Sequence, residues 1–165
     1  ITARFFFFFL LTELKPVAVG SMLREVTEYL QHRISSGVQI ILPPEEEPEI
    51  IAPINRPLFE WVIENLCKNA ADAMEGRGTI RFSWGSTRHN TYIDISDTGK
   101  GISRKHQKTI FKPGYTTKKR GWGLGLTLVW RIIHEYHKGK IFVKESAAGR
   151  GTTFRIELPQ TPKAK

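Results

Sequence analysis

Apolar residues recur at helical spacing in three segments of the chain. The first segment, from about residue 20 to 35, contains Met22, Leu23, Val26, Tyr29, Leu30 and Ile34, and Ser35-Ser36-Gly37 ends it. A second helix is predicted from about residue 57 to 75, because Asn55 suits a cap and Pro57 suits a first turn. A third, strongly apolar helix is predicted from about Gly123 to Tyr136.

Alternation of apolar and polar residues predicts five strands. They are expected at Gly37–Leu42, Thr79–Ser86, Thr91–Asp97, Lys140–Glu145 and Thr152–Leu158. The second and third strands are separated by a short polar turn and therefore read as a hairpin. The element order is αβαββ, a long loop, then αββ. This order predicts an α+β fold, a two-layer sandwich in which a mixed, mostly antiparallel sheet of about five strands carries three main helices on one face.

The composition fits one globular domain, but the charge is unevenly distributed. The chain has 165 residues, 40% of them hydrophobic and 25% charged, and its single cysteine excludes an internal disulfide. Of the net charge of +9, a large part comes from one acid-free segment containing Lys100, Arg104, Lys105, Lys108, Lys112, Lys118, Lys119 and Arg120. Such a cluster of positive charge favours the binding of an anion, which could be a nucleic-acid backbone, a nucleotide phosphate or an acidic partner protein. A solvated loop is the plain alternative.

Three polar residues lie at the border of the apolar stripe of the second helix. Asn65, Asn69 and Asp72 are spaced i, i+4 and i+7. The stripe itself consists of Phe59, Val62, Ile63, Leu66, Ala70 and Ala73. Amides at the edge of a core are costly unless their hydrogen bonds are satisfied. The amide oxygens suit Mg²⁺ as hard ligands, or they bind a neighbouring loop.

A carboxylate is predicted on the buried face of the hairpin. Alternation places Asp97 with Ile93 and Ile95, so its carboxylate needs a strong donor. The glycines of Asp97-Thr98-Gly99-Lys100-Gly101 allow a backbone to approach a ligand closely. A β-turn in which Asp97 binds the next amides is the alternative. On the last strand, the hydroxyl of Thr152 is likewise predicted to point inward.

Glycines open the third helix in Gly121-Trp122-Gly123-Leu124-Gly125-Leu126. Free N–H groups at such a helix start suit phosphate. The dinucleotide-binding fingerprint does not fit, because a basic loop rather than a strand precedes the glycines. The phosphate-loop pattern GxxxxGK[ST] is absent from the sequence.

Five segments, in this order and at these distances, resemble the motifs of the GHKL ATPase superfamily and, within it, the histidine kinases. The segments are Glu64–Ala73 (N box), Asp97–Ile102 (first glycine box), Ile110–Lys118 (F box), Gly121–Leu126 (second glycine box) and Gly149–Phe154 followed by Leu158-Pro159 (closing motif). Each motif alone is weak evidence for the superfamily, but five motifs in this order and at these distances are highly specific evidence. The resemblance covers roughly residues 20–159.

The resemblance implies binding of ATP with Mg²⁺. Asn69 would hold Mg²⁺ with help from Asn65, Asp97 would accept from the adenine amino group, and the basic loop would be a mobile lid. The implied ATP-binding residues are Asn69, Asp72, Asp97, Gly99, Gly101, Ile102, Thr116, Thr117, Lys118, Gly121, Gly123, Leu124, Gly125, Leu126 and Thr152. The implied catalytic residues are Asn65, Asn69, Lys118 and Arg120.

The resemblance favours a kinase over a hydrolase. Hydrolysing members of the superfamily carry a water-activating Glu four residues before the Mg²⁺-binding Asn, a position that is Asn65 here. Glu64 lies about 140° around the helix from Asn69 and faces elsewhere. A GHKL-type ATPase and a serine kinase acting on a regulator are the alternatives, and a basic nucleic-acid-binding module is a weaker one.

Partners and domain limits also follow from the resemblance. The expected partners are ATP, the dimerisation and histidine phosphotransfer domain of the same kinase, and a response regulator, with no nucleic acid and a monomeric state. Residues 1–15 are expected to be the end of a dimerisation helix and linker, or a segment of artificial origin. Residues 16–160 are expected to form the catalytic domain and 161–165 a tail. The expected location is the cytoplasm, free or as part of a membrane-bound sensor.

The histidines predict that this chain does not phosphorylate itself. None of His32, His89, His106, His134 and His137 lies in an acceptor context such as HE-x-x-x-P, and we interpret them as surface residues. We expect no phosphohistidine after incubation with radiolabelled Mg²⁺–ATP. Acid-labile label on the chain would contradict this prediction.

Overall fold

The computed structural model describes residues 13–116 and 123–160, which form seven strands and three helices. The strands are β1 (Lys15–Ala18), β2 (Gly37–Ile41), β3 (Ile51–Ile54), β4 (Arg77–Ser86), β5 (Asn90–Asp97), β6 (Lys140–Ala147) and β7 (Gly151–Pro159). The helices are α1 (Val19–Gln31), α2 (Arg56–Ala73) and α3 (Gly125–Arg131), and α3 continues as one π-helical segment, Ile132–Tyr136. None of the helices in the described part is long and apolar enough to cross a membrane.

The strand order confirms the predicted mixed sheet. Five strands pair in the order β2-β4-β5-β7-β6, with β2 and β4 parallel and the other neighbours antiparallel. The prediction missed a second element, the antiparallel ribbon of β1 and β3. Its strands have four residues each, and Pro16 lies opposite Pro53. Short, proline-bearing segments give no alternation signal, because proline normally indicates the absence of an interior strand.

The first two helices begin where side chains satisfy their free N–H groups. Asn55 caps α2 by accepting from the amide of Leu58 at 3.2 Å, as the sequence predicts. At the start of α1, the distant Glu49 carboxylate accepts from the amides of Gly20 (2.6 Å) and Ser21 (3.1 Å). Burial raises the pKa of Glu49, but these hydrogen bonds outweigh it, so the pKa lies below its usual value.

The core lies between the helices and the inner face of the sheet. Its largest buried side chains include Phe59, Ile63 and Leu66 from α2, Ile80 and Phe82 from β4, Ile93 from β5, Ile133 and Ile156. The predicted stripe of α2 is confirmed, except that Ala73 at its end is only partly buried. This packing determines which face of α2 remains at the border of the core.

An ion-pair cluster stabilises the outer face of the sheet. Asp94 accepts from Arg155 at 2.7 and 2.8 Å and from Lys144 at 3.0 Å. The Arg155 guanidinium also lies over the ring of Tyr92. Burial alone would raise the pKa of Asp94, but the two cations outweigh it and hold the pKa below its usual value.

His137 is buried, so the interpretation of every histidine as a surface residue is wrong. Only 1% of His137 is exposed, at the end of the π-helical segment. Its Nε2 accepts from the amide of Asn55 at 3.1 Å, and its Nδ1 donates to the carbonyl of Ile132 at 2.9 Å. The ring therefore joins the end of α3 to the cap of α2. The prediction failed because the partner amide is 82 residues away in the chain.

The buried imidazole predicts that the fold loses stability in mild acid. Burial lowers the pKa of His137, whereas the unfolded chain has the ordinary value of 6.5. Below about pH 6.5 the unfolded state therefore binds more protons than the folded state. The free energy of unfolding decreases as the pH is lowered, until the pH passes the lowered pKa of His137 in the folded state. Urea unfolding between about pH 7 and pH 5 measures this slope.

The matched variant is His137→Gln, which keeps a hydrogen-bonding side chain that does not titrate. We expect a shallower decline in its free energy of unfolding over the same pH range. Some decline remains, because burial also lowers the pKa of His134. Equal slopes in the two proteins would contradict a role for His137.

Candidate functional site

Two glycine segments contact one line of residues on α2. Asn65, Asn69 and Ala73 are spaced i, i+4 and i+8 and so follow one side of the helix. At one end, a methyl group on Gly125 would lie 3.2 Å from Oδ1 of Asn65. At the other end, a methyl group on Gly99 would lie 2.7 Å from the carbonyl oxygen of Ala73. Asn69 therefore lies between the first glycine box and the start of α3.

Asp97 ends β5 next to this line and is partly buried, as predicted. Its Oδ1 accepts from the amide of Gly99 at 2.8 Å, and the amide of Thr152 also donates to the carboxylate. Burial raises the pKa of Asp97 in spite of these two donors. The bond to Gly99 is the local turn contact that the sequence also allowed. A carboxylate has about four acceptor positions, so the two amide donors leave capacity for a further donor.

The first glycine box is held against the hairpin of β6 and β7. Gly101 has a φ of 77°, and a methyl group there would lie 2.0 Å from the carbonyl oxygen of Ala147. The amide of Gly149 donates to the carbonyl of Lys100 at 2.8 Å. The amide of Ile102 donates to Oγ of Ser146 at 2.7 Å. The chain after Asp97 is thereby fixed at three successive residues.

Ser146 is a polar residue of this region that the sequence analysis missed. Its Oγ lies 2.8 Å from Oγ1 of Thr152, which is buried and shares the inner face with Phe154 as predicted. The Ser146 hydroxyl also donates to the carbonyl of Gly151 at 3.0 Å. A serine on an edge strand gives no signal by itself. Only the register, which pairs Ser146 with Thr152, indicates its role.

The basic loop is attached to the domain through its F box. Ile110 is buried, and Phe111 packs against the core. The carbonyl of Phe111 accepts from Oγ1 of Thr127 at 3.1 Å, and the amide of Gly114 donates to the carbonyl of Gly123 at 3.2 Å. The F box therefore lies beside the start of α3, where the second glycine box ends.

The remaining predicted residues have different positions. Asp72 is exposed and lines a depression with Arg33, Lys68 and Glu75, rather than with Asp97. Of the residues near α3, Leu124 is 47% exposed, Leu126 packs on the core, Gly123 has a φ of 65° and Thr116 is exposed. Thr117, Lys118, Arg120 and Gly121 lie outside the described residues.

The residues present suit a nucleotide with a metal bound to its phosphates. Across residues 13–116 and 123–160, no three His, Cys, Asp or Glu side chains come together as a metal site. The amides of α2 instead offer neutral oxygen ligands, which suit Mg²⁺ when phosphates supply the charge. Glu64 pairs with Lys68 at 2.9 Å, so its carboxylate is directed away from Asn69, as predicted.

Comparison with known proteins identifies the class of this domain. The model of the histidine kinase-, DNA gyrase B- and HSP90-like ATPases matches residues 55–162, so the chain belongs to this family. Within the family, it is a catalytic and ATP-binding domain of the sensor histidine kinase type.

Individual relatives agree with this placement. The signal transduction histidine-protein kinase AtoS of Escherichia coli strain K12 is 43% identical over 152 residues, 90% of this chain and 24% of that protein. The catalytic domain of histidine kinase ThkA superposes with a TM-score of 0.79 at 26% identity, covering 92% of this chain and 98% of that one. Full-length ShkA in complex with AMPPNP has a TM-score of 0.74 at 26% identity, covering 92% of this chain and 32% of that one. The chain thus spans about a quarter of the curated relative AtoS.

Two glycines with positive φ test the contact that holds the first glycine box. Gly101→Ala places a methyl group into the carbonyl of Ala147, whereas Gly149→Ala meets nothing within 4 Å at a φ of 73°. Both variants carry a left-handed strain of about 1–2 kcal/mol. We expect Gly101→Ala to lose at least about 1 kcal/mol more in free energy of unfolding, since overpacking adds to the strain. Urea unfolding measures both losses, and equal losses would contradict the contact.

Proposed function

We propose that this domain binds Mg²⁺–ATP and positions its γ-phosphoryl group for transfer to a histidine of a separate phosphotransfer domain. The observation that carries the proposal is the placement of Asn69 between the two glycine segments. One segment leads to the partly buried Asp97 and the other leads into α3. Phosphoryl transfer depends mainly on positioning and charge neutralisation, which such a cleft provides.

The adenine end of the nucleotide would lie at the first glycine box. Asp97 would accept from the amino group of the base, and this bond would offset the cost of burying the carboxylate. Gly99, Gly101 and Ile102 would allow the base to approach the backbone. Thr152, opposite Asp97 in the register, supports the same wall.

The phosphate end would lie along α2 and the start of α3. Asn69 would hold Mg²⁺ with Asn65 beside it, and the glycines up to Gly125 would present N–H groups to the phosphates. Mg²⁺ supplies charge neutralisation at the phosphate oxygens when bound. Lys118 and Arg120 would add positive charge from the basic loop.

The charge distribution on α2 supports transfer over hydrolysis. Asn65 occupies the position from which a water-activating base would act, and a neutral amide does not accept a proton there. Glu64 is engaged by Lys68 on another side of the helix. The other carboxylate near Asn69 on α2, Asp72, is exposed and lines the depression with Arg33 and Glu75. Transfer to an incoming histidine is the chemistry that this arrangement favours over the ATPase alternative.

The proposed partners follow from the type of domain. We propose a dimerisation and histidine phosphotransfer domain as the direct acceptor, a response regulator as the next acceptor, and a cytoplasmic location. Residues 16–160 would be the catalytic unit, monomeric when isolated. The structure of ShkA contains AMPPNP, which supports an adenine nucleotide in this fold.

Calorimetric titration with Mg²⁺–AMPPNP tests the proposal directly. We expect binding by the wild type and an affinity about tenfold to a hundredfold weaker in Asp97→Asn, since a hydrogen bond to a charged group is lost. Asn69→Asp should weaken binding as well, because a carboxylate beside the phosphates repels them.

Glu64→Gln is the matched control on α2. Its side chain lies on another side of the helix, so the wild-type affinity should remain. No binding heat with the wild type would overturn the proposal. Salt-sensitive DNA binding that nucleotide does not displace would instead favour the nucleic-acid module.

A further inference from the structure

The Ser146 hydroxyl lies at the junction of three hydrogen bonds. Its oxygen accepts from the amide of Ile102 at 2.7 Å. It lies 3.0 Å from the carbonyl of Gly151, to which it donates. It also lies 2.8 Å from Oγ1 of Thr152, a contact in which either oxygen could be the donor.

Counting protons decides the direction of the third bond. A serine hydroxyl has one proton and two lone pairs. A carbonyl only accepts, so the hydroxyl of Ser146 uses its one proton to donate a hydrogen bond to the carbonyl of Gly151. An amide N–H only donates, so Ile102 occupies one lone pair of Ser146. The three bonds exist together only if Thr152 donates its own proton to the remaining lone pair.

The direction of this bond defines what Thr152 offers to a ligand. Because the hydroxyl of Thr152 donates its hydrogen bond to Ser146, Oγ1 of Thr152 presents only acceptor lone pairs to a ligand. Asp97, which faces Thr152 across the register, is also an acceptor when ionised. Both side chains on this wall therefore accept hydrogen bonds, and neither donates.

We propose that Ser146 is a positioning residue for purine selectivity, which keeps Thr152 an acceptor and so favours a 6-amino purine over a 6-oxo purine. This inference rests on the proposed function. In this proposal, the 6-position of the base, rather than N1, lies against Asp97 and Thr152. A 6-oxo group is itself an acceptor, so against these two acceptors it would lose its hydrogen bonds on entering the site. A 6-amino group donates and is satisfied there.

A second hydroxyl pair supplies a matched control on the same strands. Oγ of Ser96 lies 2.7 Å from Oγ1 of Thr153. Thr153 follows Thr152 directly, so the pair lies on the opposite face of the sheet. Removing Ser96 removes an equivalent hydroxyl–hydroxyl contact but keeps the bond between Ser146 and Thr152.

The test compares the dissociation constants of Mg²⁺–ATP, whose base has a 6-amino group beside an acceptor N1, and Mg²⁺–ITP, whose base has a 6-oxo group beside an N1–H donor. We expect Ser146→Ala to lower the ratio of the ITP constant to the ATP constant about tenfold, the effect of one neutral hydrogen bond. The freed hydroxyl of Thr152 then turns and donates to the 6-oxo group. Ser146→Thr, which keeps the hydroxyl, and Ser96→Ala should both retain the wild-type ratio.

A purely structural role for Ser146 gives a different result. If Ser146→Ala leaves the ratio unchanged, or raises it because Thr152 faces N1 of the base, this inference is wrong while the proposed function stands. If the wild type binds neither nucleotide, the proposed function is wrong and the inference falls with it.

Thr152→Val keeps the proposal testable even if Ser146→Ala does not fold. It removes the acceptor itself, so the ratio should fall in the presence of Ser146. An unchanged ratio of the two dissociation constants would show that Thr152 does not form a hydrogen bond with the base, and would contradict the inference. Where both variants fold, adding Ser146→Ala to Thr152→Val should change the ratio no further, because the two residues act through one bond.

Discussion

The packing of α2 against the sheet is the interaction on which the site depends. Phe59, Val62 and Ile63 are fully buried, so the rotation of the helix about its axis is determined by the core. That rotation leaves Asn65 and Asn69 at the border, where two glycine segments approach the helix. A change in the packing of α2 would move both amides together, because close-packed interiors transmit small displacements.

The sheet register supplies the opposite wall of the site. Asp97 pairs with Thr152, and Thr152 pairs with Ser146, so three polar side chains from three strands form one row. The end of β6 also holds the first glycine box, because Ala147 lies against Gly101 and Ser146 accepts from the amide of Ile102. The pairing of β6 with β7 therefore also positions the first glycine box, the segment that is expected to contact the base.

The two ends of α3 connect the site to the rest of the core. Its first residue lies against Asn65, and the π-helical segment at its other end leads to His137, which accepts from the amide that precedes α2. Periodicity predicted this helix correctly. It did not predict the π-helical segment or the buried imidazole, because both depend on contacts between residues far apart in the chain.

The sequence alone determined the class of fold and the main motifs. Helical and alternating spacings predicted three helices and five strands, and the glycines and polar exceptions indicated Asn65, Asn69, Asp97 and Thr152, because an unusual residue in a regular pattern is visible locally. Only the tertiary structure showed the β1–β3 ribbon, the burial of His137, the exposure of Asp72 and the hydrogen bonds of Ser146. Each of these depends on register or on the approach of distant segments, which a local pattern does not contain.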